Sequence, residues 1–390
     1  MNKAVINAVV DEYLRVHLHE NAAAFMLKKH PFQNITNQEL AQQLVGLQKA
    51  KNKFPDLFDN HHIVYPKKKF LEQTSSQITA SYKSQLLSLS SMIDLTGGFG
   101  VDVSAFAKAC PTTIHIEISS TLQAYAQQSF TAQGLQIKSV NADGLQYLSV
   151  HKDTYDLIYL DPSRKTQAHS KAIMLEDYEP NVIQFMDMLL QKGKKVMIKT
   201  SPMLDITAGL KQLGKVRCLH IVALKNEVKE LLWILDKQAS DPVELICVNL
   251  ETEQPIFKTT LNVTTHDSYA TPKKYLYEPN ASIMKSQQFA ALMQQYPVYK
   301  LDHDSHLFTA NELVDFPGRI FKIIKVHNFK PKLIKKLYAG TARGVVTRNS
   351  KETVAQLRKK YNFKEHETDY LFFTSSKEVG AVVIEAVKLI

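Results

Sequence analysis

Four acids in this 390-residue chain follow apolar runs and precede turns or helical patterns. The first is Asp94, at the end of Met92-Ile93-Asp94. It leads into Leu95-Thr96-Gly97-Gly98-Phe99-Gly100-Val101-Asp102. Glycines let a backbone turn sharply and come close to a ligand where a side chain would intervene. A strand, a glycine turn and a helix make the nucleotide-binding corner of a doubly wound sheet. The spacing departs from G-x-G-x-x-G, and Asp94 stands where a pyrophosphate would need neutral or positive surroundings. This combination suits a cationic, phosphate-free ligand such as S-adenosylmethionine. Asp94, Thr96, Gly97, Gly98, Gly100 and Asp102 are the expected contacts from this turn.

The other acids extend the site. Glu117 ends Ile114-His115-Ile116-Glu117, and a carboxylate there can accept from both hydroxyls of a ribose. Asp143, in Asn141-Ala142-Asp143-Gly144, is positioned to accept from an adenine amine and reads equally well as a helix cap. Asp161 opens Asp161-Pro162-Ser163-Arg164 after the apolar run Leu157 to Leu160, and is counted for both the cofactor and the acceptor. Alone, each has an ordinary structural reading, but four acids at the ends of successive strands make the ligand site the better one. Enzymes that methylate exocyclic base amines carry Asp or Asn, Pro, Pro and an aromatic in this loop. Here Asp161 and Pro162 keep the acceptor half, while Ser163 and Arg164 replace the second proline and the aromatic. Arginine's planar guanidinium can stack on a base or grip a phosphate. Methylation at uracil C5 needs a cysteine nucleophile after the next strand, and Thr200-Ser201-Pro202 stand there instead.

These residues need a sheet to hold them. Strand-like runs fall at 91–95, 112–117, 136–140, 156–160, 194–199, 216–224 and 230–236, alternating with helical patterns. The last two, joined by Lys225 to Lys229, should pair antiparallel at one edge. Residues 1–70 read as a helical region, with Leu40, Leu44 and Leu47 at helical spacing, and 49–70 as a connector. The Ser/Thr-rich segment 72–76 precedes the glycine turn as a helix start that could fold over the ligand. Trp233, amid Leu231, Leu232, Ile234 and Leu235, reads as core.

Beyond 238 the pattern becomes α+β. Strand-like runs at 243–250, 256–263, 320–326, 343–347, 370–374 and 380–387 are separated by helices near 281–294, 331–338 and 351–361. From Arg319 to Lys364 lysines and arginines dominate, Glu352 is the only acid, and Phe321, Phe329, Tyr338, Tyr361 and Phe363 are interleaved. That is the footprint of phosphate-backbone binding, with a solvated basic face over core aromatics as the competing reading. A net charge of +10 agrees with a polyanionic partner. Cys110, Cys218 and Cys247 lack metal-like spacing and read as buried thiols in a reducing cytoplasm; no metal site is expected. No run is apolar enough to span a membrane.

The chain resembles class I S-adenosylmethionine-dependent methyltransferases, and more narrowly a bacterial family of them with a THUMP-like C-terminal domain. Leu71 to Lys83, Ile93 to Asp102, Tyr159 to Lys165, Leu175 to Asn181, Lys199 to Ile206, Asn226 to Leu232, Tyr275 to Lys285 and Asp369 to Thr374 carry the likeness. The resemblance implies an α/β fold: a doubly wound seven-stranded sheet whose last pair is antiparallel. It divides the chain into a helical region 1–70, a methyltransferase domain 71–238, a small ferredoxin-like α+β module 239–318 and a basic THUMP-like RNA-binding module 319–390. The expectation is a cytoplasmic enzyme that uses S-adenosylmethionine to methylate a base nitrogen of structured RNA, tRNA or rRNA. Asp161, Pro162, Ser163 and Arg164 would position the acceptor. A non-catalytic RNA-binding protein on the same fold, and a DNA methyltransferase, are the alternatives.

Overall fold

The computed structural model describes residues 1–164, 174–261 and 267–389, and the side chain of Arg164 lies outside what is described. The chain divides into two compact units. The first holds Met1–Arg217 and Leu231–Asp241, the second Cys218–Glu230 and Pro242–Ile390.

In the first unit, polar caps start the N-terminal helices. Asn7 caps α1 (Ala8–Val16), and Asn21 caps α2 (Ala22–Met26). Thr36 and Glu39 form a capping box on α3 (Asn37–Lys53). α3 buries Leu40, Leu44 and Leu47 as its periodicity predicts. The expected connector is instead folded structure. Its first residues complete α3, Pro55–Asp59 form α4, and Ile63, Val64 and Tyr65 are buried. Gln43 bonds both the N–H and the carbonyl of Tyr65, at 2.8 and 3.0 Å. A Cβ on Gly46 would come within 2.2 Å of Tyr65, so only glycine admits that ring. The apolar residues here follow no helical or strand period, which hid their burial. Ile63 and Tyr65 share a core with Phe99 and Leu122, so this region buttresses the glycine turn.

The sheet of the first unit is built from β1 (Ser91–Asp94), β2 (Thr112–Glu117), β3 (Ile137–Asn141), β4 (Tyr155–Leu160) and β5 (Gly193–Thr200). They run parallel in the order β3-β2-β1-β4-β5. Strands covered on both faces need near-continuous apolar sequence, and Leu157 to Leu160 are all buried. The β6 (Val216–Leu224) and β7 (Glu227–Leu235) hairpin follows. β7 pairs antiparallel with β5, from Val196 opposite Leu235 to Thr200 opposite Leu231. This is the reversed strand expected of the class I methyltransferase fold.

In the second unit, Lys225 and Asn226 turn the β6–β7 hairpin with φ of 49° and 66°, the left-handed pair a two-residue hairpin requires. The hairpin is not at a sheet edge. β8 (Glu244–Leu250) runs parallel beside β6, and β9 (Phe257–Thr260) pairs antiparallel with β8. β6 is buried along nearly its whole length, as a strand flanked on both sides must be. Of the expected strand 256–263, residues 262 and 263 lie outside the described residues.

A second sheet contains β10 (Tyr275–Pro279), β11 (Phe308–Ala310), β12 (Gly318–Asn328), β13 (Gly344–Thr347), β14 (Asp369–Ser376) and β15 (Gly380–Lys388). Their order is β11-β10-β12-β15-β14-β13, with the two-residue strand Tyr299–Lys300 beside β11. The expected helix 281–294 is two, Ala281–Ser286 and Phe289–Gln295, broken where Gln287 adopts φ 56°. Helices Pro331–Tyr338 and Val354–Tyr361 bury Ile334, Tyr338, Leu357 and Tyr361 in one cluster with Leu371 and Phe373 of β14.

Candidate functional site

The candidate site gathers at the carboxyl ends of β1, β2, β4 and β5, all within the first unit. Asp94 closes β1 and is 2% exposed. Its Oδ1 accepts from the Thr96 N–H at 2.9 Å. Burial pushes its pKa well above the ordinary carboxylate range, and the charges of Asp102, Asp161 and Glu117 push the same way. Three further carboxylates therefore act on Asp94 here.

Glu117 fastens the turn. Its Oε2 accepts from the Gly98 N–H at 2.9 Å and its Oε1 from the Ser119 N–H at 2.7 Å. An ionised carboxylate has about four acceptor positions, so two remain. Gly97 lies against His115, whose ring a Cβ at that position would meet at 2.2 Å. Gly100, at φ 83°, lies equally close to Phe130. Gly98, at φ 58°, is different: a Cβ there would meet nothing nearer than the Thr96 carbonyl at 3.9 Å. The first two glycines are bare for packing, and Gly98 leaves open space.

Asp102 sits in a buried network. Ser75 and Tyr159 donate to its Oδ2 at 2.8 and 2.9 Å, and the fully buried Lys83 ammonium lies 3.1 Å from Oδ1. Burial raises its pKa, but Lys83, Lys199 and the two hydroxyl donors outweigh this and hold it below the ordinary value. This network makes Asp102 an internal anchor for α5 (Gln77–Ser84). It also locates segment 72–76: Ser75 meets the glycine-turn helix, and Ser76 caps α5. Asp143 is exposed and caps Gly144–Val150 through the Gln146 N–H at 2.8 Å. Gly144 follows because a Cβ there would strike the Leu95 carbonyl oxygen at 2.1 Å.

Asp161 is joined to the glycine turn through its backbone: its N–H donates to the Thr96 hydroxyl at 2.6 Å. Its Oδ2 accepts from the ammonium of Lys199 on β5, an ion pair. Pro162 is buried and Ser163 exposed. Ser163–Arg164 pair as a short antiparallel ladder with Tyr178–Glu179, which brings the segment 175–181 to this loop. The Thr200 hydroxyl accepts from the Trp233 indole N–H at 2.9 Å, and that tryptophan is fully buried. All three cysteines are buried, and burial pushes Cys247 up to about 12.

Sequence reasoning missed Lys83, Tyr159 and His115 as individual residues. His115 is fully buried beside the turn, its Nδ1 at 3.0 Å from the Ser139 hydroxyl. Burial lowers its pKa to about 4, so it stands neutral at pH 7. A lysine inside the helical run at 77–84 and a histidine inside the apolar strand Ile114–Ile116 were the available signals.

In the second unit, the basic stretch separates into two sets. Arg319 and Arg348 both pair with the buried Glu278, Arg343 with Asp369 and Glu385, Arg358 with Glu365, and Lys360 with Glu352. Those side chains brace the fold. Lys322, Lys325, Lys330, Lys332, Lys335 and Lys336 are exposed, with no ion pair among the described residues. Four of the five interleaved aromatics are core: Phe321, Tyr338, Tyr361 and Phe363 are buried, so stacking on bases is not their role, and Phe329 is half-buried. No group of metal-binding side chains is found among the described residues, and no described helix is long and apolar enough to cross a membrane.

Residues 275–317 match a ferredoxin-like domain family and residues 318–387 a THUMP domain-like family. The two matched segments contribute to the same second sheet. Over its whole length the chain is similar to a crystal structure from Porphyromonas gingivalis W83 described as a candidate methyltransferase. The TM-score is 0.89 at 24% identity, covering 100% of both chains. Two weaker likenesses, at scores too low to carry an argument, are to a candidate class I S-adenosylmethionine-dependent methyltransferase of Listeria monocytogenes and a 16S rRNA N2 G1207 methyltransferase of T. thermophilus. The first has a TM-score of 0.36 at 14% identity, covering 64% of this chain and 90% of that one. The second has 0.31 at 12%, covering 44% of each. No curated protein matches the chain. The fold is therefore that of class I methyltransferases, with a THUMP-like C-terminal segment, as the sequence resemblance implied.

Proposed function

We propose that this protein is an S-adenosylmethionine-dependent methyltransferase acting on a base nitrogen of structured RNA, tRNA or rRNA. The observation that carries the cofactor is the crowding of Asp94, Asp102, Glu117 and Asp161, close enough for the other three to raise the pKa of buried Asp94. A pyrophosphate would meet repulsion there, while a sulfonium or ammonium would relieve it. The open side of Gly98 and the unused acceptor positions of Glu117 fit the same ligand. Asp94, Thr96, Gly97, Gly98, Gly100 and Glu117 are its proposed contacts, with Asp143 at the adenine end. When bound, adenosylmethionine supplies an electrophilic methyl group.

Asp161 and Pro162 are proposed to orient the acceptor, with Ser163 and Arg164 bordering it. In-line transfer depends mainly on alignment and on excluding water. The nitrogen reading is preferred to uracil C5, whose methylation needs a cysteine nucleophile. The Thr200 hydroxyl is held by Trp233, and the cysteines are buried. The THUMP domain-like match and the exposed lysines of its first strand and helix support RNA as the polymer.

Mass spectrometry of modified nucleosides in tRNA and rRNA from a deletion strain and its parent tests the reading. Loss of one N-methylated nucleoside is expected; an unchanged set would overturn it. On that substrate, Asp161→Ala should abolish transfer while adenosylmethionine still binds.

A further inference from the structure

Lys199 and Asp161 form an ion pair inside the acidic cluster, with side chains 12% and 29% exposed. Among the described residues the cluster holds four carboxylates and two ammoniums. Lys83 is fully buried and fixed by Asp102 and by the Ser75 hydroxyl at 3.0 Å. Lys199 stands at the end of β5, beside the loop that follows β4, and its charge is also felt by Asp102. Unlike Lys83, Lys199 pairs with Asp161, the acid that opens the loop after β4.

We propose that Lys199 is a positioning residue that sets how strongly this site prefers a cationic ligand to a neutral one, an inference resting on the adenosylmethionine reading above. Adenosylmethionine carries one positive charge more than its demethylated product, S-adenosylhomocysteine. A carboxylate already compensated by an ammonium attracts a second cation less, and the ammonium itself repels it. In a partly buried site such effects are not lost to solvent screening. Lys199 thereby narrows the affinity gap between donor and product.

The test is calorimetric titration of the full-length wild type, Lys199→Met and Lys199→Arg with adenosylmethionine and, separately, with S-adenosylhomocysteine. In Lys199→Met the preference for the cationic ligand should rise about tenfold, as removal of one nearby charge predicts. Lys199→Arg should restore the wild-type ratio. A purely structural role would move both affinities by the same factor, and an unchanged ratio in Lys199→Met overturns the proposal. Asp161→Asn supplies a second arm that does not depend on Lys199→Met folding: it should lower the ratio below wild type, and an unchanged or raised ratio counts equally against the idea. Failure of the wild type to bind either ligand would instead overturn the cofactor reading.

Discussion

The Thr96 hydroxyl receives the backbone N–H of Asp161 at 2.6 Å and lies 3.4 Å from Asp94 Oδ1, so one side chain joins the β1 turn to the loop after β4. The two loops are 65 residues apart in sequence, yet each fixes the other. Thr96→Val preserves the shape and removes the hydroxyl. It leaves the half-buried Asp161 N–H without its acceptor, a loss of about 1 kcal/mol. Urea denaturation should register that loss, together with weaker adenosylmethionine binding by calorimetry. Unchanged stability and affinity would show that the loops are held independently.

Asp94 is stabilised by its bonds to Thr96 and opposed by burial and by three other acids. Asp94→Asn removes the repulsion at nearly constant volume. The free protein should melt higher, by a few degrees for about 1 kcal/mol in a chain of this size. Affinity for adenosylmethionine should fall about tenfold, since a cation loses one of the four acids around it. A variant that gained stability and kept full affinity would remove Asp94 from the ligand site.

Acid should destabilise this fold before its surface carboxylates titrate. His115 and His220 are both lowered to about 4 by burial, against about 6.5 in an unfolded chain. The unfolded state therefore binds more protons between those values. The stabilisation from keeping the rings neutral is fully present above pH 6.5 and is lost as pH falls toward 4. Each ring contributes up to about 3 kcal/mol across that window. Asp94 acts in the opposite sense, because its folded-state pKa is raised and acid favours its native form. Melting temperatures at pH 7 and pH 5 for wild type and His115→Gln should show a shallower decline in the variant. Parallel declines would remove His115 as a contributor.

The two sets of basic residues in the second unit should respond differently to substitution. Lys332→Glu, Lys335→Glu and Lys336→Glu change exposed charges on one helix, so the melting temperature should hold within a degree or two. Affinity for bulk tRNA or rRNA should weaken several-fold and depend less steeply on salt, as fewer phosphates are neutralised. Arg348→Ala, which leaves Glu278 with one partner fewer, should instead lower stability. RNA affinity unchanged in the lysine variants would place the polymer elsewhere.

The sequence by itself determined the seven expected strands and the positions of the candidate acids. Parallel strands buried on both faces need continuous apolar runs, and these bracket Asp94, Glu117 and Asp161 so closely that the observed strands begin and end within about three residues of expectation. The reversal at β7 was legible from the short polar turn at Lys225 and Asn226. What each acid touches was decided only in three dimensions. Asp102 meets Ser75, Tyr159 and Lys83, and Asp161 meets Thr96 and Lys199, from segments that no local pattern connects. The same holds for the basic C-terminal stretch, which reads as uniformly free charge until Glu278, Asp369 and Glu385 close on its arginines. Periodicity reports the face a residue turns to the core. An ion pair or a hydrogen bond across the sheet depends on which distant residue arrives at that face, and that is fixed by packing alone.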